Sequence, residues 1–206
     1  MKKKSKTVSR GRPTSEQLFA RLRRRTKANA DVLDREIEDQ CVSVTTVMMC
    51  DSSGFTRRTH EYGILHFLAV MTDVYDRVEP VVLKHGGDVI SRGADNLLAV
   101  FDEPAKGVDA AIAMQRLLAK FNEGKTDRDQ FQLCMGFHHG NILRLKDSIF
   151  GDKVNIAAKI GEDLASAEEI LVTGEVAKLL PARIKRSYAR SVELGGKNFE
   201  LHRVKY

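Results

Sequence analysis

An apolar run, Val44-Thr45-Thr46-Val47-Met48-Met49-Cys50, ends in Asp51 and passes directly into Ser52-Ser53-Gly54-Phe55-Thr56. Its length and β-branched content mark a buried strand that delivers an acidic side chain at its C-terminal end. Strand-like and helical periods alternate from there on. Tyr62 to Lys84 reads as a long helix with Ile64, Leu65, Phe67, Leu68, Met71, Val74, Tyr75, Val78 and Val82 on one broad face, closed by Gly86-Gly87. The pattern predicts a hairpin of strands 88–92 and 96–101 and a helix at about 104–121. It then predicts a strand 130–138 with Asn141 to Leu145 as its partner, a helix 155–165, a strand 169–172 and a short helix 174–180. Two antiparallel strands at about 186–194 and 199–205 complete it. This order restricts the chain to an α+β fold: a ferredoxin-like β-α-β-β-α-β core with a C-terminal extension, mostly antiparallel sheet with helices on one face.

Charge divides the 206 residues unevenly. The net +6 splits into +10 over residues 1–30, where eleven Lys or Arg face only Glu16, and −4 over the rest. Basicity is therefore a property of the N-terminal arm, and the body is mildly acidic. Residues 1–13 read as a disordered basic arm and residues 14–40 as a connector helix, with Thr14 and Gln17 at capping-box spacing. Residues 41–206 then form one catalytic-sized domain. Cys41, Cys50 and Cys134 have no metal-binding spacing and read as reduced, buried thiols of a cytoplasmic protein. No run is long enough to cross a bilayer, and Met1-Lys2-Lys3-Lys4 does not open a signal peptide.

The chemistry gathers at strand ends. Asp51 closes one strand, and Asp95, in Gly93-Ala94-Asp95, immediately precedes another, Asn96 to Phe101. Paired carboxylates on adjacent strands suit divalent cations, and the small residues from Ser52 to Thr56 at a helix mouth suit phosphates. The combination implies metal-dependent chemistry on a nucleoside triphosphate.

Four segments resemble class III nucleotidyl cyclases, the adenylate and guanylate cyclase family, over about Val44 to Val204. They are Asp51 to Thr56; Gly86-Gly87-Asp88-Val89-Ile90 with Asp95 and Leu98 to Phe101; Gly136-Phe137-His138-His139-Gly140; and Phe150-Gly151-Asp152-Lys153-Val154-Asn155-Ile156-Ala157-Ala158-Lys159. The resemblance implies cyclisation of ATP, favoured over GTP, to the 3′,5′-cyclic monophosphate with release of pyrophosphate. Asp51 and Asp95, with the backbone carbonyl of Ser52, would hold two Mg²⁺ or Mn²⁺ ions. Asn155 would orient the ribose and Lys159 would neutralise phosphate charge. Ser52, Ser53, Gly54, Phe55, Thr56 and Lys197 would line the triphosphate. The family divides these groups between subunits, which implies a homodimer with two shared sites.

The chain departs from the family pattern at the positions that select the base, which fall on Ser91 and Ser148, beside Arg92 and Asp147. Ala94 replaces a Gly, and Lys159 replaces an Arg and so lacks its planar fork. These departures motivate the alternative of a catalytically degenerate cyclase-homology domain that binds a nucleotide or a partner. A GGDEF-type diguanylate cyclase is disfavoured because Gly86-Gly87-Asp88 continues as Val89-Ile90. His138 and His139 read as structural and Phe55 as core packing. Arg10-Gly11-Arg12-Pro13 carries the core of an AT-hook, so DNA or an anionic surface is a further partner reading, set against a solvated tail.

Overall fold

A computed structural model describes residues 11–93 and 95–206, so the arm up to residue 10 and Ala94 lie outside the described residues. One sheet organises the chain. Its strands are β1 (Val42–Ser52), β2 (Gly87–Arg92), β3 (Asn96–Phe101), β4 (Leu133–Arg144), β5 (Ile149–Phe150), β6 (Ile170–Thr173), β7 (Arg186–Leu194) and β8 (Lys197–Val204). They run in the order β2-β3-β1-β4-β6-β8-β7, with β5 added to β4. Only the β4–β6 pairing is parallel among these. The first four strands and the two long helices between them form the expected ferredoxin-like core.

Alternation along β1 decides which face each helix covers. Met48 and Cys50 turn toward α4 (Ile64–Lys84) and α5 (Pro104–Asn122), burying Phe67, Met71, Val74, Tyr75, Val78 and Val82 of α4 at helical spacing. Val47 turns the other way, against Ala157 of α6 (Asp152–Lys159). Helices therefore cover both faces, where the sequence pattern suggested one. The helical face of α4 is also shorter than its apolar pattern, since Ile64 and Leu65 are exposed, Leu65 at 80%.

Three local predictions are corrected. The helix expected over residues 14–40 is two helices, α1 (Ser15–Leu22) and α2 (Ala30–Cys41), folded into a hairpin tied by Arg21–Glu36 and by the Arg25 Nε and one terminal nitrogen on Asp34. A separate helix, α3 (Phe55–Tyr62), precedes α4, with Gly63 at φ +86° between them. Residues 133–144 form one continuous strand rather than a hairpin at His138-His139-Gly140, because every residue from Leu133 to Leu143 stays in register with β1. The C-terminal α7 (Gly174–Leu179) and the β7–β8 pair fall where expected.

α6 does not stop cleanly. It continues as a π-helical turn, Ile160–Leu164, with the Ala165 amide bonded to the Ile160 carbonyl. This turn crosses the sheet closely at Gly136 and Gly161. A Cβ on Gly136 would lie 2.6 Å from the Ala157 carbonyl oxygen and nearer still to the Gly161 amide. The sheet thus holds α6 and its π turn at a fixed height above the end of β1.

Candidate active site

Asp51 sits one residue from the end of β1, opposite Asn96 of β3 and Cys134 of β4. The backbone of Asp95 is drawn to the same place. Its carbonyl accepts hydrogen bonds from the Ser52 amide (3.1 Å) and from the Tyr75 hydroxyl on α4 (2.6 Å). Two acidic residues are thereby brought together, Asp51 near the end of β1 and Asp95 just before β3. Burial pushes the Asp51 carboxyl up to about 7, helped by the negative charges of Asp95 and Glu162 and opposed by the Ser52 amide. Glu162, on the π turn, is itself raised, first by burial and then by Asp163, and accepts from Asn96 Nδ2 (3.3 Å).

This donor set fits a divalent cation. The oxygens are hard, their charges repel one another, and an ion between them would relieve that repulsion. Among the described residues no three His, Cys, Asp or Glu side chains converge as a self-contained metal cluster. Two carboxylates completed by substrate phosphates and water are what Mg²⁺ commonly takes. Gly54, at φ +79°, then turns the chain into α3, whose first amides receive no side-chain cap. Phe55 packs edge-on against Phe67 at 5.0 Å between centroids, as core packing requires.

A second cluster lies on α6. Asn155, Lys159 and Lys197 share a cleft of about 540 Å³ with Asp152, Ile156, Glu193, Leu194 and Gly195. None of Asp51, Ser52 and Asp95 lines it. Lys159 Nζ is paired with Asp163 at 2.8 Å, which raises its pKa through that hydrogen bond and charge. One chain therefore carries two separate groups of candidate residues.

The sequence profile of the family described as "Adenylate and Guanylate cyclase catalytic domain" matches residues 37–205. The chain belongs to that family. The "Serine/threonine-protein kinase pkn2" of Myxococcus xanthus is 33% identical over 136 residues, covering 64% of this chain and 16% of that protein. The "Putative adenylate cyclase 3" of Rhizobium meliloti (strain 1021) is 26% identical over 157 residues, 76% of this chain and 27% of the relative. The chain thus spans roughly a quarter or less of these relatives' length. Among solved structures, "the guanylyl cyclase Cya2" superposes with TM-score 0.72 at 19% identity, covering 79% of this chain and 92% of that one. "The adenylyl cyclase CyaB from P. aeruginosa" gives 0.70 at 20%, covering 80% and 95%. These likenesses show that the fold is that of a cyclase catalytic domain.

The two serines expected at the base, Ser91 and Ser148, are neutral where their neighbours Arg92 and Asp147 are charged. Ser91 is exposed on β2, beside a register shift, and Ser148 is half-buried in the β4–β5 turn. Arg92 stacks over Tyr75 at 5.4 Å and pairs with Asp76 at 2.9 Å. Asp147 accepts from the Ser15 amide and hydroxyl. Both ionic neighbours are committed elsewhere. His138 and His139 are held within the fold by side-chain hydrogen bonds. His138 is buried and bonded through Nδ1 to Thr173 (2.9 Å), and burial drives its pKa down to about 4; His139 bonds Thr46 (2.8 Å).

The described part of the hook motif is docked on the body. Pro13 is buried and its carbonyl accepts from the Lys146 amide (3.0 Å), the Gly11 carbonyl accepts from Gln40 Nε2 (2.6 Å), and Arg12 lies partly buried beside Arg144, Asp88 and Asp102. Gly11, Arg12 and Pro13 are thus engaged by the chain's own residues, which does not support the DNA reading. Cys41, Cys50 and Cys134 are buried and unbridged, and no helix among the described residues is long and apolar enough to cross a membrane. Glu162, Asp163, Glu193 and the Tyr75 hydroxyl were not singled out from the sequence. Tyr75 was legible only as a core position, and a π turn leaves no periodic signal for Glu162.

Proposed function

We propose that this cyclase domain converts a purine nucleoside triphosphate, ATP in preference to GTP, to its 3′,5′-cyclic monophosphate and pyrophosphate, in a homodimer with two shared sites. The ribose 3′-oxygen forms a bond to the α-phosphorus, the bond from that phosphorus to the β-phosphate oxygen breaks, and the hydroxyl proton leaves to solvent. Asp51, Asp95 and the Ser52 carbonyl would hold two Mg²⁺ or Mn²⁺ ions, which when bound supply Lewis acidity at the hydroxyl and neutralise the leaving charge. Asp51 must be ionised to do so. Ser53, Gly54, Phe55 and Thr56 set the uncapped α3 amides toward phosphate. Asn155 orients the ribose from α6, while Lys159, released from Asp163, and Lys197 place positive charge on the phosphates. Ser91 and Ser148 face the base as hydroxyls that both donate and accept.

The observation that carries this reading is the gathering of Asn155, Lys159 and Lys197 in one cleft that excludes the Asp51–Asp95 pair. A second chain supplying the complementary group would complete each site. The test is purified protein with ATP or GTP and Mn²⁺, followed chromatographically for cyclic product and pyrophosphate. Product from the wild type and none from Asp51→Ala supports the reading.

The alternative is a degenerate domain that binds a nucleotide without turnover. The Lys159–Asp163 pair and the commitment of Arg92 and Asp147 elsewhere favour it. Nucleotide binding by a folded dimer, with no product from either nucleotide, would establish it.

A further inference from the structure

The turn that carries Ser148 is weakly built on its own. Residues 145–148 are closed by one backbone hydrogen bond, Leu145 N to Ser148 O at 2.8 Å. The two-residue β5 beyond it makes two bridge pairs with β4, Leu143 with Phe150 and Arg144 with Ile149. So short a strand has little stability of its own. Yet α6 starts at Asp152, and its first bonds, from the Val154 and Asn155 amides, run back to the Gly151 carbonyl.

The segment from Gly11 to Phe19 supplies what the turn lacks. The Pro13 carbonyl accepts from the Lys146 amide at 3.0 Å. Asp147 Oδ1 accepts from the Ser15 amide at 2.8 Å and the Ser15 hydroxyl at 3.0 Å. Leu18, 3% exposed, packs with Ile37, Cys41 and Leu145, and Phe19 meets Phe150 edge-on at 6.0 Å. These three hydrogen bonds and the apolar contacts of Leu18 and Phe19 at least match the turn's own backbone bond and two bridge pairs.

We propose that Ser15 and Asp147 are positioning residues for the nucleotide site: the Ser15–Asp147 clasp fixes the β4–β5 turn and thereby the start of α6, on which Asn155 and Lys159 are placed. They touch no substrate. The inference rests on the cyclase reading for its kinetic consequence, while its structural consequence stands apart from it. Misplacing a positioning group by about 1 Å can cost up to about a hundredfold in rate.

Asp147→Ala removes the acceptor, Ser15→Ala removes one of its two donors, and Asp147→Asn keeps an acceptor oxygen of the same shape. Amide exchange over residues 149–159 is expected to rise about tenfold in Asp147→Ala, less in Ser15→Ala, and to stay at the wild-type level in Asp147→Asn. In the active enzyme kcat follows the same order, falling about tenfold in Asp147→Ala. The Mn²⁺ concentration for half-activity is expected to be unchanged, because the Asp51–Asp95 pair lies elsewhere. Unchanged exchange in Asp147→Ala overturns the proposal. So does an Asp147→Asn variant as impaired as Asp147→Ala. If the wild type makes no cyclic product, that counts against the cyclase reading alone, and exchange still decides whether the clasp positions α6.

Discussion

Asp51 sits where the fold disfavours its charge, and that sets a pH dependence with a definite sign. Its carboxyl titrates at about 7 in the folded protein, through burial first and then the charges of Asp95 and Glu162. A folded value raised above the unfolded one stabilises the fold below the ordinary carboxylate range and loses that stabilisation as pH rises through about 7. With chelator present, the wild type should therefore melt progressively lower than Asp51→Asn as pH rises from about 5 to about 8. Mn²⁺ should reverse this for the wild type only, since proton and cation compete for the same oxygens. A difference between the two proteins that is flat with pH would refute the assignment. Asp51→Asn should also lower activity at least about a hundredfold. Lys159 offers the opposite kind of test. Its ammonium, held by Asp163, is a point charge without the planar fork that matches two phosphate oxygens at once, so Lys159→Arg should raise kcat severalfold with little change in KM. A fall in kcat would mean that the cleft is shaped around lysine.

At the scale of elements, the close crossing of α6 over the sheet is the most exposed to substitution. In Gly136→Ala the new Cβ would stand 2.6 Å from the Ala157 carbonyl oxygen and 2.8 Å from the Ile160 carbonyl carbon, both backbone atoms that cannot swing aside. Overpacking of this kind should cost about 3 kcal/mol, and a denaturant midpoint measures it. Gly124→Ala, with φ +72° and nothing within 4 Å, should cost only about 1 kcal/mol. Equal losses at the two sites would disprove the crossing argument. Strands and long helices were legible in the sequence because periods of two and of about 3.6 are written in single segments, as Met48/Cys50 and Phe67/Met71/Val74/Val78 show. The break between α1 and α2 was not. No Gly or Pro marks residues 23–29, and the reversal is held by Arg21 and Arg25 reaching across to Glu36 and Asp34. His138-His139-Gly140-Asn141 looked like a turn, but pairing with β1 overrode the local signal. The candidate site divides in the same way. Contiguous motifs gave Asp51, Asn155 and Lys159, whereas Glu162 depends on a change of helical pitch and Asp147 on a contact 132 residues away in the chain.

For the whole molecule, the separation of the Asp51–Asp95 pair from the Asn155–Lys159–Lys197 cleft governs what one chain can do alone. Exposed apolar side chains support association: Leu65 is 80% exposed and Ile64 47%, both at the start of α4, which follows directly on α3 and the Asp51 turn. A two-fold pair would set the acidic group of one protomer against the cleft of its partner and generate two equivalent sites. Mixing defective variants distinguishes that arrangement from sites confined to single chains. Asp51→Asn and Asn155→Ala homodimers each carry a defect in both sites and should be inactive. In a heterodimer formed across a shared interface, both substitutions fall in one site and the other is intact. Random assortment of equal amounts makes half the dimers mixed, so co-refolding the two variants should restore about a quarter of wild-type activity. If each site is built within one chain, every site in the mixture carries one substitution and no activity returns. Recovery must also require contact between the chains, so mixing the variants under conditions that prevent subunit exchange should restore nothing.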